Sequence, residues 1–343
     1  MEPREAISRL LTDLPLSAAE TENLFERMLS GMADAAQWGA ILALMQRRGP
    51  VVDEIVGAAR AMRRVVERVP IEQGASGAVV IDTCGTGGAA KTFNISTTSA
   101  IVVASAAPGR VMVAKHGNRS RTGRGSAEVL RALGVNVDAT PAVQARCLEG
   151  AGVCFCFAIH HHPAMKHAAG PRASLGVPTI FNLLGPLTNP AGASHQLIGV
   201  YDAGLIDRVA GALATLGSRR ALVVHSEDGM DEISPCGATR AAFVEEGRVA
   251  DETITPEGAG LTRGTLEEIR AASLDDSVRL LRSVLRGEAG TPRTAVLLNA
   301  GAALRVAGVA ETIGVGARMA AEAIDSGAAR ATLDSLVEWS NRA

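Results

Sequence analysis

The chain predicts an α/β fold in which a small N-terminal helical domain, residues 1–72, precedes a larger α/β domain, residues 78–343, with a mostly parallel sheet flanked by helices. Three observations predict it. Apolar residues recur at helical spacing through about the first seventy positions. A polar, glycine-containing break follows at Glu72-Gln73-Gly74-Ala75-Ser76-Gly77. Beyond it, short β-branched runs alternate with helical patterns, the signature of parallel strands covered on both faces.

The N-terminal helices announce themselves by their starts. Ser17-Ala18-Ala19-Glu20 and Asp34-Ala35-Ala36-Gln37 are capping-box patterns. Leu24, Phe25, Met28 and Leu29 follow the first, and Ile41, Leu44 and Met45 the second, at helical spacing; Ile55, Ala59, Met62, Val65 and Val66 form a third apolar face. In the larger domain the strand candidates are 78–82, 110–114, 152–158, 195–200, 220–225 and 240–249. Helices are expected at 95–106, 126–133, 141–149 and 203–216, then at 266–272, 276–285 and 294–306; helices around 163–190 are expected to join the N-terminal lobe.

Composition narrows the function. A chain of 343 residues that is 47% hydrophobic can bury a large core. A net charge of −2 gives no field that would steer it to nucleic acid or an acidic membrane, and 3% aromatics leaves few platforms for stacking bases. No apolar run approaches a membrane span, and the charged start Met1-Glu2-Pro3-Arg4-Glu5 has no signal-peptide core, so the expected location is the cytosol. Five cysteines without a C-x-x-C spacing fit reduced thiols. Cys154 and Cys156 sit in an all-apolar run and read as core.

Two glycine-rich loops carry the chemistry. Asp82-Thr83-Cys84-Gly85-Thr86-Gly87-Gly88 runs on to Asn94-Ile95-Ser96-Thr97, and Lys115-His116-Gly117-Asn118-Arg119-Ser120 runs on to Gly123-Arg124-Gly125-Ser126. Each follows a predicted strand and precedes a predicted helix, where backbone N–H groups and the helix dipole favour anions. Two such loops, with Lys115, Arg119 and Arg124 in the second, predict a ligand with two separated phosphate groups. Asp231 and Glu232, within Asp228-Gly229-Met230-Asp231-Glu232-Ile233-Ser234, leave another predicted strand and suit Mg2+, which takes few carboxylates and fills its shell with water and phosphate oxygens. His160-His161-His162-Pro163, read as extended, places at most His160 and His162 on one face and is expected to line a pocket or to form a satisfied loop, not to hold a metal. In Phe181-Asn182-Leu183-Leu184-Gly185-Pro186-Leu187-Thr188-Asn189-Pro190 the Gly-Pro and Asn-Pro steps are expected to force turns, and Arg172, just upstream in a loop-rich stretch, is free to pair with a substrate carboxylate.

Gly85 to Gly88 with Asn94 to Thr97, Lys115 to Ser120, His161 to Lys166, Phe181 to Ala191 and Gly229 to Ser234 together resemble the anthranilate phosphoribosyltransferases, in the family's order and across nearly the whole chain. The resemblance implies a homodimer joined through its helical lobes and transfer of a phosphoribosyl group from phosphoribosyl pyrophosphate to anthranilate. It implies that Gly85, Gly88, Thr92, Asn94, Ser96, Thr97, Lys115, His116, Gly117, Asn118, Arg119 and Ser126 bind phosphoribosyl pyrophosphate. Ser96, Asp231 and Glu232 would hold Mg2+, and Gly85, Asn118 and Arg172 would face anthranilate. The chain departs from the family's pattern in one place: Ala89 stands where an aspartate is usual, and the segments Gly88–Asn94 and Asn118–Ser126 are each one residue shorter. A nucleoside phosphorylase of related fold, which needs neither Arg172 nor the Asp231–Glu232 pair, and a catalytically silent relative that binds phosphate or nucleic acid are the alternative readings.

Overall fold

A computed structural model describes residues 1–71, 77–87, 92–120 and 123–342. The N-terminal lobe begins with helices α1 (Pro3–Leu11), α2 (Ala18–Leu29), α3 (Ala35–Arg48) and α4 (Val52–Arg64). Ser17 and Glu20 form the expected capping box, and Asp34 accepts from the N–H groups of Ala36 and Gln37. Glycine permits the closest crossing: a Cβ on Gly57 of α4 would stand 2.3 Å from the carbonyl oxygen of Ala18. Glu54 is fully buried there, accepting from Leu16 N–H at 3.0 Å and pairing with Arg48.

Strands β1 (Val79–Gly85), β2 (Val111–Gly117), β3 (Val153–Phe157), β4 (His195–Gly199), β5 (Arg220–Ser226), β6 (Thr239–Glu245) and β7 (Arg248–Ile254) form one seven-stranded sheet in the order β3-β2-β1-β4-β5-β6-β7. The first five are mutually parallel; β6 and β7 add an antiparallel edge. The expected single strand 240–249 is two strands. Glu246 and Gly247, at φ 48° and 79°, make a two-residue hairpin turn inside that span.

Between these strands lie α5 (Ile95–Ala106), α6 (Ser126–Ala132), α7 (Pro141–Ala151), α8 (Ala158–His161), α9 (Lys166–Leu175), α10 (Ile180–Leu187) and α11 (Ile206–Thr215). The chain closes with α12 (Leu266–Ile269), α13 (Leu274–Leu285), α14 (Thr291–Val306), α15 (Ile313–Asp325) and α16 (Ala328–Ser340). Helix α12 is shorter than the expected 266–272, because Arg270 turns outward to bridge Thr92 in an antiparallel pair.

The helices expected around 163–190 are present, and they place Arg172 and Phe181 on helices and not in the loop-rich stretch read around Arg172, although Pro171 lies inside α9 and Pro186 inside α10. Proline in a helix costs about 3 kcal/mol. Helix α10 buries Ile180, Phe181, Leu183, Leu184 and Leu187, and at about 1.5–3 kcal/mol for each such side chain that burial outweighs the lost bond. These residues belong to a cluster that unites α1–α4 with α11 and one face of the sheet, including Ile198, Val200, Val223 and Val244. The opposite face, with Leu197, Leu222 and Val224, packs on α5 and α14–α16. Among the described residues no helix is long and apolar enough to cross a membrane.

Candidate active site

The strand order reverses between β1 and β4: the chain winds from β1 outward to β3, then returns to the far side of β1. In open α/β sheets the crevice at the carboxyl ends of such a strand pair is where ligands lie. Gly85 and Gly199 end β1 and β4 in register, and Thr86 N–H donates to Gly199 O at 2.9 Å. The loop after β5 closes over this point. A Cβ on Gly199 would lie 1.6 Å from the carbonyl oxygen of Asp231, and one on Gly85 would lie 2.7 Å from Asp231 Oδ2. Only glycine lets that loop reach the strand ends.

One ammonium faces three carboxyl groups here. Lys115 is buried and donates to Thr83 O at 2.5 Å and to Ser96 Oγ at 3.1 Å. Asp82, fully buried, accepts from His116 N–H at 3.0 Å and Asn189 Nδ2 at 2.8 Å. Ser96 N–H, in the first turn of α5, donates to Glu232 Oε1 at 3.1 Å. Asp231 and Glu232 keep partial solvent contact as residues, but protein atoms crowd their carboxyl groups. That desolvation raises the pKa of Asp231, and desolvation with the neighbouring Asp231 charge pushes Glu232 up to about 8; Lys115 pulls both the other way. Burial also raises Asp82 and lowers Lys115.

The donor set fits a hard dication. Two adjacent half-buried carboxylates and the Ser96 hydroxyl gather where, among the described residues, negative charge exceeds positive, and Mg2+ needs few protein ligands when phosphate oxygens and water complete its shell. Among the described residues no group of three His, Cys, Asp or Glu side chains is placed to hold a metal ion by itself, so the ligand itself would supply the remaining positions.

The second loop is held from below by histidines. His116 Nδ1 donates to Gly185 O of α10 at 2.9 Å, leaving its Nε2 to accept from His162 Nε2 at 3.3 Å. Burial lowers His116 to about 3 and His162 to about 4, so both rings stay neutral. Of the triple-histidine run, His160 and His161 lie in the short helix α8 and His162 just beyond it, and the three diverge: His160 meets Asp138, and His161 meets Glu67 O and Gln144 Oε1. Gly117 permits Ser126 Oγ and the Phe155 ring to close on the loop, since a Cβ there would lie 2.3 Å and 2.6 Å from them.

The structure gathers Gly85, Ser96, Lys115, Asp231 and Glu232 at one point. Asn94 Nδ2 joins the two loops by donating to Arg124 O at 3.3 Å, and Thr97 is buried beside it in α5. Asn94 Oδ1 and Thr97 Oγ1 have no hydrogen-bond partner among the described residues. Thr92 is tied to Arg270, while Asn118 and Arg119 are exposed, with the Arg119 guanidinium 5.5 Å from the Phe157 ring centre. Arg172 is half-buried on α9, its guanidinium 5.2 Å above Phe181, with no carboxylate partner among the described residues. Gly88, Ala89 and Lys91, and with them the aspartate position, lie outside the described residues, as do Arg121 and Thr122. A concavity of about 490 Å3 on the helical lobe, among Glu22, Arg60, Arg63, Arg64 and Arg68, is remote from this chemistry, and Arg63 there is engaged with Leu187 O and Leu216 O.

Sequence reasoning assigned no role to Asn299. Fully buried on α14, it accepts from Ile233 N–H at 3.0 Å and donates to Ile233 O at 2.9 Å. A lone amide within Ala295-Val296-Leu297-Leu298-Asn299-Ala300 was the available signal, because a buried polar group must find partners. Asp82 and Asn189 were visible inside motifs, but the bond from Asn189, beyond the end of α10, to Asp82 on β1 was not.

Comparison with known proteins decides the family. Residues 77–330 match the model of a glycosyl transferase family a/b domain, and residues 4–65 match that family's helical bundle domain. The anthranilate phosphoribosyltransferase of Moorella thermoacetica is 47% identical over 97% of both chains, and that of Thioalkalivibrio sulfidiphilus 48% over 99% of both. The chain belongs to the anthranilate phosphoribosyltransferases. The crystal structure of the Thermus thermophilus enzyme superposes with a TM-score of 0.89 at 36% identity, covering 98% of this chain and 99% of that one. The enzyme from Saccharomyces cerevisiae in complex with PRPP and Mg shares the fold, with a TM-score of 0.87 at 24% identity over 98% and 97% of the chains.

The raised Glu232 pKa sets a pH dependence for the metal-free enzyme. Its folded value of about 8 lies above the ordinary 4.5, so its contribution to stability is complete below about 4.5 and lost as pH rises through 8. The lowered histidines act below their ordinary 6.5, and comparison with Glu232→Gln separates the Glu232 share above it from those of the shifted Asp82, Lys115 and Asp231. In chelator, the melting temperature of Glu232→Gln is expected to gain roughly 2–5 °C on that of the unmodified protein between pH 6.5 and 8.5. Parallel melting curves across that window would assign the carboxyl an ordinary environment.

Proposed function

We propose that this chain transfers the phosphoribosyl group of phosphoribosyl pyrophosphate to the amine of anthranilate, with pyrophosphate leaving. The observation that carries the reading is the Lys115, Ser96, Asp231 and Glu232 cluster at the β1/β4 crevice, in a chain nearly half identical to enzymes of that name. The amine nitrogen bonds to ribose C1 as the C1–O bond breaks, its electron pair leaves with pyrophosphate, and the nitrogen releases a proton. An arylamine is neutral at pH 7, so no general base is needed before attack, and the work of the protein is alignment and charge neutralisation. A phosphorylase using free phosphate would leave the Asp231–Glu232 pair without a purpose.

Gly85, Gly88, Thr92, Asn94, Ser96, Thr97, Lys115–Arg119 and Ser126 are assigned to the phosphoribosyl donor. The unpartnered Asn94 Oδ1 and Thr97 Oγ1 support this assignment, as does the cationic Lys115 beside the strand ends. Ser96, Asp231 and Glu232 are assigned to Mg2+, which when bound would offset the charge of the departing pyrophosphate. Gly85, Asn118 and Arg172 are assigned to anthranilate, with the unpaired Arg172 guanidinium supporting a role toward its carboxylate. A homodimer through the helical lobes is supported by Leu11, Leu14 and Met32, which are 63%, 56% and 71% exposed on that lobe. The five unpaired cysteines suit the cytosol.

Anthranilate fluorescence is expected to decay only when enzyme, phosphoribosyl pyrophosphate and Mg2+ are all present, and Asp231→Asn with Glu232→Gln is expected to slow that decay by orders of magnitude. Absence of decay over a wide enzyme range would remove the transferase reading. Arg172→Ala removes a charge-assisted contact of about 1.5–3 kcal/mol, so KM for anthranilate is expected to rise about ten- to a hundredfold while KM for the donor changes little. Equal losses for both substrates would place Arg172 in the structural frame instead.

A further inference from the structure

We propose that Asn299 is a positioning residue for the Asp231–Glu232 pair, an inference that rests on reading that pair as the metal site. The carboxamide makes three bonds: it accepts from Ile233 N–H at 3.0 Å and donates to Ile233 O and Ala295 O, both at 2.9 Å. It thus satisfies both backbone groups of the residue that follows Glu232, as a neighbouring strand would. On the other side, Gly199 brings β4 against the Asp231 carbonyl. Glu232 therefore stands between two pins, one on the sheet and one on α14.

The chemistry of the side chain is specific to this task. Ile233 presents a donor and an acceptor, so its partner must carry both in one plane. A carboxylate supplies only the acceptor and an aliphatic group neither. Asn299 is fully buried, so it acts on the site through the backbone of Ile233. Helix α14 is itself a firm support: Gly301 meets α15 so closely that a Cβ there would lie 2.6 Å from Ile313 O. Groups that orient metal ligands without touching the metal typically govern affinity by about 10–100-fold.

The test is Mn2+ binding, read from the paramagnetic resonance signal of the free ion with pyrophosphate present, together with steady-state kinetics. Asn299→Ala is expected to weaken Mn2+ by about tenfold or more and to raise the Mg2+ needed for half-maximal rate by a similar factor, with KM for anthranilate changed less than about twofold. Val306→Ala, in a fully buried position on the same helix, is expected to lower the melting temperature while leaving Mn2+ affinity intact. Asn299→Ser, which keeps one bonding group, serves if the alanine variant does not fold and should weaken Mn2+ less. A melting loss in the Asn299 variants with unchanged Mn2+ affinity would overturn the proposal. Asp231→Asn with Glu232→Gln separates the two readings: retained Mn2+ binding there would sink the metal site itself, whereas loss there beside normal binding in the Asn299 variants would sink only this inference.

Discussion

Three carboxyl groups around one buried ammonium make the constraint on which the rest of the site depends. Among the described residues Lys115 feels Asp82, Glu232 and Asp231 together, and its single charge cannot balance three. A protein can meet such an excess by protonating a carboxyl or by recruiting a cation. The metal-free fold takes the first route, with Glu232 holding its proton to about pH 8. A magnesium-bearing pyrophosphate donor, as proposed above, would supply the second. The excess negative charge that would repel a bare polyanion would then select one arriving with its metal.

The architecture keeps that cluster assembled. Parallel strands deliver Thr83, Lys115 and the β5 loop to one edge, and glycines at 85 and 199 remove the side chains that would hold the loop away. The helical lobe is coupled to the same point. Helix α10 offers Gly185 O to His116, and just beyond its end Asn189 reaches both Asp82 and Ala114 O. Because α10 shares a core with α1–α4, a change in how the lobe packs would be felt at the second loop.

Much of this was legible in the sequence, for reasons that differ by element. The parallel strands were clear because burial on both faces makes them nearly continuous apolar runs, as in Val153–Phe157. The loops were clear because glycine, lysine and acidic residues at strand ends have few structural explanations in common. The β6–β7 hairpin was missed because Glu246-Gly247 carries only the glycine of the usual turn pairs, with glutamate where Asn, Asp or Gly commonly stands. Helix α10 defied the local rule against proline because burial against the lobe outweighs it, and that is a tertiary fact. The histidine run illustrates the same limit: His162 finds its partner in His116, forty-six positions away. No local pattern announces such a pair, nor the grip of Asn299 on Ile233.

The most direct test of the charge account counts protons. At pH 7 a Glu232 carboxyl with pKa about 8 is about nine-tenths protonated, and a dication beside it should expel that proton. Calorimetric titration of Mg2+ into enzyme holding pyrophosphate, repeated in two buffers of different ionisation enthalpy, measures the number released. The account predicts about one proton more from the unmodified enzyme than from Glu232→Gln. Equal release from the two proteins would show that Glu232 is already ionised and would contradict it.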